Sequence, residues 1–370
     1  MEEVMSRKLI SISTIMTLMS TSVMADVPNV AADIAPVHSL VSRVMDGVGE
    51  PKLVIQSGAS PHGYRLRPSE AKALQDANLI FWMGEELTPW LDGAIDTLAS
   101  NASVTSLLDQ EGVVLHEFRE GALFEAHDHS AHDDHDDHKD HDDHDDHDDH
   151  DDHEGHDDHD DHDDHDDHKD HDDHDDHEDH DDHDVHDDHK DHDDHDDHGH
   201  SAHDPHAWLS PENAKLWLNI IASKLSVADP ENAATYFTNA AAGQAEIEEM
   251  ISEVSATLKP VKGGKFVVFH DAYQYFENDF NFYASGAISL SDASDPSPAR
   301  IAKIQKRIRD EGIQCVLAEP QFKQGLVATV MEGSEATASV IDPLGADIKP
   351  GPKLYTQLIK NMAKILRNCL

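Results

Sequence analysis

The sequence predicts an α/β protein of two lobes, each with a mainly parallel sheet flanked by helices, joined by a long rigid connecting helix. Two observations favour this fold class. Short apolar segments alternate with helical patterns of about ten to fifteen residues in both halves of the chain, which is typical of βαβ units. Between the halves, one helical pattern starts at Asp229-Pro230-Glu231 and continues to about Leu258. Such a helix would be about 40 Å long, and we interpret it as a strut between the lobes.

The pattern of strands and helices in the N-terminal half predicts the first lobe. Pro68 indicates the start of a helix, because proline is favoured in the first turn, where its missing N–H is not needed. The most apolar strand follows it, in Asn78-Leu79-Ile80-Phe81-Trp82-Met83. The predicted strands are 29–33, 52–56, 78–83 and 104–107, and the predicted helices are 36–45, 68–75, 88–99 and 210–226.

The same alternation resumes in the C-terminal half, after Gly263-Gly264. Ile301, Ile304 and Ile308 recur at helical spacing and predict an amphipathic helix. The predicted strands are 265–269, 287–290, 315–318 and 339–342, and the predicted helices are 272–277, 298–311, 324–331 and 353–367.

A run from His127 to Asp204 interrupts the first lobe and repeats His-Asp-Asp. It holds 27 of the 32 histidines and carries a formal charge of −38 out of −50. With almost no apolar residues it cannot bury a core, so we predict a disordered insert. Imidazole and carboxylate are both metal ligands, and overlapping ligand sets on a flexible chain would give weak, labile metal sites. The alternative is an acidic solubilising segment.

The first 25 residues have the charged, apolar, small-residue order of a secretory signal peptide. Arg7 and Lys8 precede an apolar stretch from Leu9 to Val23, and Ala25 closes the segment. The apolar part is too short to span a membrane, and the leader has no cysteine for lipid attachment. We therefore predict a periplasmic protein without membrane insertion. The acidic charge argues against a nucleic-acid partner, because a phosphate backbone needs a basic face.

These observations divide the chain into predicted segments. They are a signal peptide (1–25), an N-terminal lobe (26–126) with the His/Asp-rich insert (127–204) and a remainder (205–228), the connecting helix (229–260) and a C-terminal lobe (261–370).

The chain has two cysteines, Cys315 and Cys369. In an oxidising compartment such a pair predicts a disulfide, here between a predicted strand and the C-terminus. Closing a loop of that length is worth about 4 kcal/mol in the chain-entropy model. Two free buried thiols are the alternative.

Five histidines lie outside the insert, and three of them, His62, His206 and His270, fall at predicted strand or loop ends. In parallel α/β sheets, ligands gather outside the carboxyl ends of the strands. Three imidazoles converging there would suit zinc, with a carboxylate or water as the fourth ligand. Taken singly, a histidine is more often structural, and this is our interpretation of His38. His116 is not assigned a role.

Four segments carry a family resemblance. In chain order they are Pro61-His62-Gly63-Tyr64-Arg65-Leu66-Arg67-Pro68-Ser69, Asp204-Pro205-His206-Ala207-Trp208-Leu209-Ser210-Pro211, Phe269-His270-Asp271-Ala272-Tyr273 and Ala318-Glu319-Pro320-Gln321-Phe322. Their order and spacing, with a His-rich acidic insert between the first two, resemble the periplasmic zinc-binding proteins of bacterial ABC importers. These proteins are a metal-binding group of solute-binding proteins, and the resemblance covers essentially the whole mature chain.

The resemblance implies two α/β lobes joined by a rigid helix, with a metal ion in the cleft between them. It implies that His62, His206 and His270 are the metal ligands. It also implies a disulfide between Cys315 and Cys369, since zinc-binding members of this kind carry a matching one.

The fourth ligand varies among the proteins that this chain resembles. Manganese-type relatives use an aspartate in the last strand, which corresponds to Asp342. Some zinc-type members use a carboxylate beside the first histidine, but here Pro61 precedes His62. Asp342 or water therefore remains. Glu319, which follows a predicted strand, is expected to be a structural acid rather than a ligand.

The function implied by the resemblance is capture of Zn²⁺ and its delivery to the membrane permease of an ABC zinc importer, by a monomeric protein that is not an enzyme. Three imidazole donors favour zinc over manganese, which prefers more carboxylate oxygen. Our hypothesis for the insert is that it raises the local zinc concentration and passes ions to the cleft.

Three alternatives remain open. The first is a manganese- or iron-binding protein of the same family. The second is a secreted zinc metalloenzyme, since three histidines and a water also describe catalytic zinc, although the sequence has no HExxH motif and no Ser or Cys nucleophile signature. The third is a metal-dependent adhesin or an extracellular metal buffer.

Overall fold

The computed structural model describes residues 27–119, 124, 203–289, 296–321 and 324–370, and these residues belong to one compact unit. The predicted signal peptide and all but the last two residues of the predicted insert lie outside the described residues. The segment boundaries given above therefore remain predictions.

The N-terminal half forms a sheet of four parallel strands. Its strands are β1 (Val30–Ala32), β2 (Lys52–Leu53), β3 (Leu79–Trp82) and β4 (Ser103–Ser106), and its helices are α1 (Ala35–Val44), α2 (Pro68–Gln75) and α3 (Pro89–Leu98). The spatial order is β2-β1-β3-β4. Strands β1 and β3 lie in the centre and are buried throughout, which explains their uninterrupted apolar sequences.

Two long helices follow, α4 (Pro211–Ala228) and α5 (Ala233–Leu258). The Ser210 hydroxyl accepts a hydrogen bond from the Asn213 N–H and caps α4, and Pro211 occupies the first turn. Short 3₁₀ turns flank the 26 residues of α5 on both sides. The long connecting helix that the sequence predicts is thus confirmed.

The C-terminal half forms a second sheet of four parallel strands in the order β6-β5-β7-β8. Its strands are β5 (Phe266–His270), β6 (Ala287–Ser289), β7 (Cys315–Ala318) and β8 (Thr337–Val340), and its helices are α6 (Gln274–Phe280), α7 (Pro298–Glu311), α8 (Gln324–Met331) and α9 (Leu354–Cys369). Two parallel sheets flanked by helices confirm the predicted fold class.

Alternation along β5 divides the C-terminal core. Phe266 and Val268 belong to the main hydrophobic core of the protein, whereas Val267 and Phe269 pack into a second cluster with side chains of α7 and α8. Successive side chains of a strand point to opposite faces. His270, at the end of β5, therefore shares the face of Phe266 and Val268.

Helix α5 joins the two halves by packing against α1 and α4 of the N-terminal half and against α9 of the C-terminal half. Gly243 lies at the crossing with α1 and α4. A Cβ atom there would lie 3.0 Å from Leu218 Cδ1 and 3.1 Å from Arg43 Cγ. The missing side chain permits the close approach, and it explains why a glycine is present within a helix, where it costs stability.

The predicted disulfide is confirmed. Cys315, the first residue of β7, is bonded to Cys369, the last residue of α9, with 5.6 Å between the Cα atoms. Cys315 pairs in register with Phe266, the first residue of β5. The disulfide therefore lies at the opposite end of the sheet from His270.

Two strand predictions need correction. The predicted strand 52–56 is reduced to Lys52–Leu53, and the predicted strand 339–342 is instead Thr337–Val340. Asp342 consequently follows the last strand rather than lying in it. Its carboxylate accepts backbone hydrogen bonds from the next residues, a turn chemistry typical of aspartate, which competes with extension of the strand.

Within the described part of the chain, none of the helices has the combination of length and apolar character that a membrane crossing requires.

Candidate metal centre

His62, His206 and His270 converge in space. His62 lies in the loop between β2 and α2, His206 lies just before the 3₁₀ turn that leads into α4, and His270 ends β5. The Nε2 atom of His206 lies 3.3 Å from Nε2 of His62 and 3.4 Å from Nε2 of His270. Among the described residues, these three form the group whose ligand atoms all lie within 4.8 Å of one another.

The spacing of the nitrogen atoms fits a small tetrahedral cation. For Zn²⁺ with Zn–N bonds of about 2.0–2.1 Å, two ligands of a tetrahedron are about 3.3–3.4 Å apart. The two Nε2···Nε2 distances at His206 fall in this range. We refer to these three side chains as the three-histidine cluster.

Asp204 orients His206. Its Oδ1 atom lies 2.7 Å from Nδ1 of His206 and also accepts a hydrogen bond of 3.0 Å from the His206 backbone N–H. Both residues are buried, with 1% exposure for Asp204 and 4% for His206. Burial raises the pKa of Asp204 to about 6, and the hydrogen bond from the His206 backbone opposes this shift.

Glu319 orients His270 in the same way. Its Oε1 atom lies 2.6 Å from Nδ1 of His270, and its Oε2 atom accepts a hydrogen bond from the side chain of Gln321. Glu319 follows β7 directly, and β7 is the neighbour of β5. The two carboxyl strand ends therefore meet, which brings the acid to the histidine.

These two carboxylates fix the tautomers of their histidines. A carboxylate accepts a hydrogen bond from Nδ1–H, so the Nε2 atoms of His206 and His270 carry lone pairs. Two lone pairs that face each other at 3.4 Å repel unless a cation lies between them. Three imidazoles in this arrangement can hold a cation.

His62 provides the more open side of the cluster, because it is half-buried whereas the other two histidines are buried. Its loop is fixed by its neighbours. The Trp90 indole N–H donates to the carbonyl oxygen of Pro61 at 2.7 Å, and the Tyr64 hydroxyl donates to Glu70 at 2.8 Å. The loop is therefore held by side chains of α2 and α3.

Asp342 lies in the loop after β8. Its Oδ1 atom accepts hydrogen bonds from the backbone N–H groups of Leu344 and Gly345, and its Oδ2 atom accepts one from Ala346. The pKa of the Tyr273 hydroxyl is raised first by burial, then by Glu319, and also by the charge of Asp342. The structure thus shows a loop-shaping role for Asp342, and a role as fourth ligand remains a prediction.

Trp208 connects the cluster to the loop of Asp342. Its ring lies 5.2 Å from the ring of His206, and its indole N–H donates to the carbonyl oxygen of Pro343 at 2.8 Å. The N-terminal segment that carries His206 is thereby bonded to the C-terminal loop beside Asp342.

His38 and His116, the other two histidines outside the insert, are not part of the three-histidine cluster. His38 is buried, and its Nε2 atom lies 3.1 Å from the carbonyl oxygen of Pro51, in agreement with the predicted structural role. The ring of His116 lies against that of Tyr275 in a tilted arrangement, with 4.6 Å between ring centroids, and its Nε2 atom accepts a hydrogen bond from the Asn278 amide.

Comparison with known proteins identifies the family. The sequence profile of ZnuA, the periplasmic component A of the zinc-uptake complex, matches residues 30–369. The chain belongs to the ZnuA family. It is 46% identical over 341 residues to the high-affinity zinc uptake system protein ZnuA of Brucella abortus (strain 2308), covering 92% of this chain and 91% of the relative. With the corresponding ZnuA of Paracoccus denitrificans (strain Pd 1222) it shares 42% identity over 347 residues, covering 94% and 93%.

Solved structures show the same fold. A crystal structure of ZnuA superposes with a TM-score of 0.63 at 19% identity, covering 93% of this chain and 99% of the other. A mutant of the laminin-binding adhesin Lmb of Streptococcus agalactiae gives a TM-score of 0.63 at 18% identity, covering 93% and 99%. Both comparisons support the two-lobed α/β fold.

Sequence reasoning singled out the three histidines, but it did not predict which acids orient them. Asp204 had a local signal, because an aspartate two residues before a histidine can accept its backbone N–H in a turn. Glu319 was expected to be a structural acid, and its bond to His270 depends on the order of the strands. Nothing local in the sequence indicates that order.

Proposed function

We propose that this chain captures Zn²⁺ at the three-histidine cluster and delivers it to the permease of an ABC-type zinc importer. The observation that carries the proposal is the pair of Nε2···Nε2 distances, 3.3 and 3.4 Å, at His206. They fit the edge of a tetrahedral zinc site. Membership of the zinc-uptake family supports zinc as the cargo and an importer as the destination.

Zinc fits these donors better than manganese does. Three neutral imidazoles are borderline-soft nitrogen donors, and two of them are backed by carboxylates that increase their basicity. Manganese prefers sites richer in carboxylate oxygen. The role is binding and release rather than catalysis, in a monomeric protein exported to the periplasm by the segment 1–25.

The fourth position is proposed for Asp342 or a water molecule. Each carboxylate oxygen has two acceptor positions, so the backbone hydrogen bonds of Asp342 do not use all of its capacity. The bond from Trp208 to Pro343 holds this loop beside the segment of His206.

The insert is proposed to collect zinc for the cluster. Its His-Asp-Asp repeats offer many overlapping ligand sets, which would bind several ions weakly and release them fast. Because the insert is part of the same chain as the cluster, ions on it would be present at a raised effective concentration.

Competitive zinc titration by calorimetry tests the proposal. In the full chain we expect one tight site and several weak ones. His206→Ala and His270→Ala should abolish the tight site and leave the weak ones, because a single missing ligand leaves two imidazoles. His38→Gln is the matched control, since it changes a buried histidine outside the cluster, and it should bind zinc like the wild type. A tight site that survived both alanine substitutions would refute the assignment.

A deletion variant separates the insert from the cluster. Removal of 128–199 keeps His203 and also Asp204, which orients His206. It should eliminate only the weak sites. If it also eliminated the tight site, the insert itself would be the high-affinity binding element. If the deletion left the total number of bound zinc ions unchanged, the collecting role would be lost.

A further inference from the structure

Arg119 forms an ion-pair cluster with two acidic side chains of the C-terminal half. Its Nε atom donates to both carboxylate oxygens of Asp271, at 3.0 and 3.1 Å, and its Nη2 atom also donates to Asp271 Oδ1. Its Nη1 atom donates to Glu277 Oε2 at 2.6 Å, and its Nη2 atom lies 3.3 Å from Glu277 Oε1. We call Arg119, Asp271 and Glu277 the Arg119 cluster.

The Arg119 cluster is shielded from solvent. The Asp271 and Glu277 side chains are 4% and 1% exposed, and that of Arg119 is 16% exposed. The ring of Phe124 covers the guanidinium, with 3.6 Å between its centroid and Cζ. Buried ion pairs of this kind are little screened by salt, and loss of the guanidinium would leave two buried carboxylates without their positive partner.

The segment of Arg119 is bonded to the segment that carries His206. Glu117 and His203 form an antiparallel bridge, and the Asp204 N–H donates to the carbonyl oxygen of His116 at 2.8 Å. Arg119 thus lies two residues beyond the bridge that joins its segment to the segment of His203 and Asp204. Asp204 in turn orients His206.

The two acidic partners of Arg119 belong to the chain segment that carries His270. Asp271 directly follows His270, and Glu277 lies further along the same segment, in α6. Tyr275 of the same region adds a second connection, because its hydroxyl donates to the carbonyl oxygen of Asp204 at 2.7 Å. The Arg119 cluster therefore ties the chain around His206 to the chain around His270.

We propose that Arg119 is a positioning residue which, by holding these two segments together, sets the rate at which zinc leaves the three-histidine cluster. This inference rests on the proposed function in one respect, namely that the cluster binds zinc. Release requires bonds to His206 and His270 to break in turn, and an ion whose two ligands are held in place rebinds before it escapes. Loss of Arg119 allows the segments to separate and so accelerates release.

Arg119 makes no contact with the cation in this scheme, and its effect is exerted on the relative position of two ligands. The predicted effect is therefore mainly on the dissociation rate. The association rate should change less than the dissociation rate, as is usual among variants of one binding site.

The test is a chase experiment on the full chain. The protein is loaded with one equivalent of Zn²⁺ and mixed with an excess of the chromogenic chelator 4-(2-pyridylazo)resorcinol. The slow phase of zinc transfer is then compared among the wild type, Arg119→Gln and Arg119→Lys. We expect at least a tenfold faster slow phase for Arg119→Gln. Arg119→Lys should lie between it and the wild type, since an ammonium keeps the charge but loses the forked geometry.

Arg43→Gln is the matched control. Arg43 forms a two-pronged ion pair with Glu246, at 2.9 and 3.1 Å, and its side chain is 14% exposed, but this pair joins α1 to α5. We expect the wild-type rate of zinc release for this variant. An equal acceleration in Arg43→Gln would mean that general loosening of the fold causes the effect, and this would overturn the proposal.

A further variant keeps the proposal testable if Arg119→Gln does not fold. Glu277→Gln leaves Arg119 paired with Asp271 and should accelerate release by a smaller factor than Arg119→Gln. The role of Arg119 would be overturned if the wild type holds zinc tightly and the folded variants of Arg119 and Glu277 release it at the same slow rate. That result would leave the proposed function intact. A wild type that showed no slow phase at all would instead refute the proposed function.

Discussion

Nδ1 of His270 lies 2.6 Å from Oε1 of Glu319, so the ends of two neighbouring parallel strands are joined at the three-histidine cluster. This bond fixes the ring orientation and the tautomer of His270. We expect Glu319→Gln to weaken zinc binding by about 10- to 100-fold, because outer partners of metal-bound histidines typically have effects of this size. Competitive zinc titration measures the change. Glu246→Gln, at a surface ion pair remote from the cluster, serves as the control and should bind like the wild type.

The bond between Trp208 and Pro343 predicts a coupling between the halves of the protein. Trp208→Phe keeps an aromatic ring beside His206 but leaves the Pro343 carbonyl without its donor. We expect a loss of about 1–3 kcal/mol in the free energy of unfolding, together with weaker zinc binding. Urea unfolding and zinc titration on the same preparation report both quantities.

Trp217→Phe is the matched control for this prediction. Its indole N–H donates to the carbonyl oxygen of Leu107 at 3.0 Å, within the N-terminal half. The two variants should lose similar stability, while Trp208→Phe alone should lose zinc affinity. Equal zinc affinities in the two variants would contradict the coupling.

The substitution Asp342→Asn distinguishes two roles for Asp342. If it is the fourth ligand, Asp342→Asn should lower zinc affinity by at least tenfold, because a charged oxygen donor is replaced by a neutral amide. If it only shapes the loop after β8, the substitution should reduce stability and leave zinc affinity near the wild-type value. We expect the first result. Zinc titration beside urea unfolding distinguishes the two, and Asp347→Asn in the same loop region is a control for charge alone.

The disulfide should stabilise the fold without affecting the cluster. Cys315 and Cys369 lie at the opposite end of the C-terminal sheet from His270. Replacing both by serine should lower the free energy of unfolding by about 4 kcal/mol, the chain-entropy value for this loop, with unchanged zinc affinity. A large loss of zinc affinity at a temperature where the variant is folded would count against this separation.

His38 predicts a pH dependence of stability. Burial lowers the pKa of His38 below its usual 6.5, so the unfolded chain takes up a proton at this residue more readily than the folded one. Stability must then rise with pH through this range, and it must fall as the pH drops below about 6.5. His38→Gln removes this contribution. The free energy of unfolding of His38→Gln, measured with a chelator present at pH 5, 6 and 7, should depend less on pH than that of the wild type. The same dependence on pH in both proteins would refute the prediction.

The local sequence was sufficient to predict most elements. The predicted bounds are confirmed for helices 68–75 and 298–311 and for strand 315–318. Pro68 and Pro298 mark the helix starts, and the short apolar run of the strand is bounded by polar residues. The last strand was predicted too late in the chain. The apolar pattern alone could not show that Asp342 uses its carboxylate to turn the chain.

The sequence by itself determined the two-lobed fold, the disulfide partners and the three histidines as candidate ligands, because periodicity, cysteine count and strand-end position are local properties. The tertiary structure decided which acids act on those histidines. Glu319 reaches His270 because β5 and β7 are neighbours, and Arg119 reaches Asp271 because the N-terminal segment beside His206 packs against the C-terminal half. Contacts between residues far apart in sequence depend on strand order and on the packing of the two halves, and neither is encoded in any single stretch of the chain.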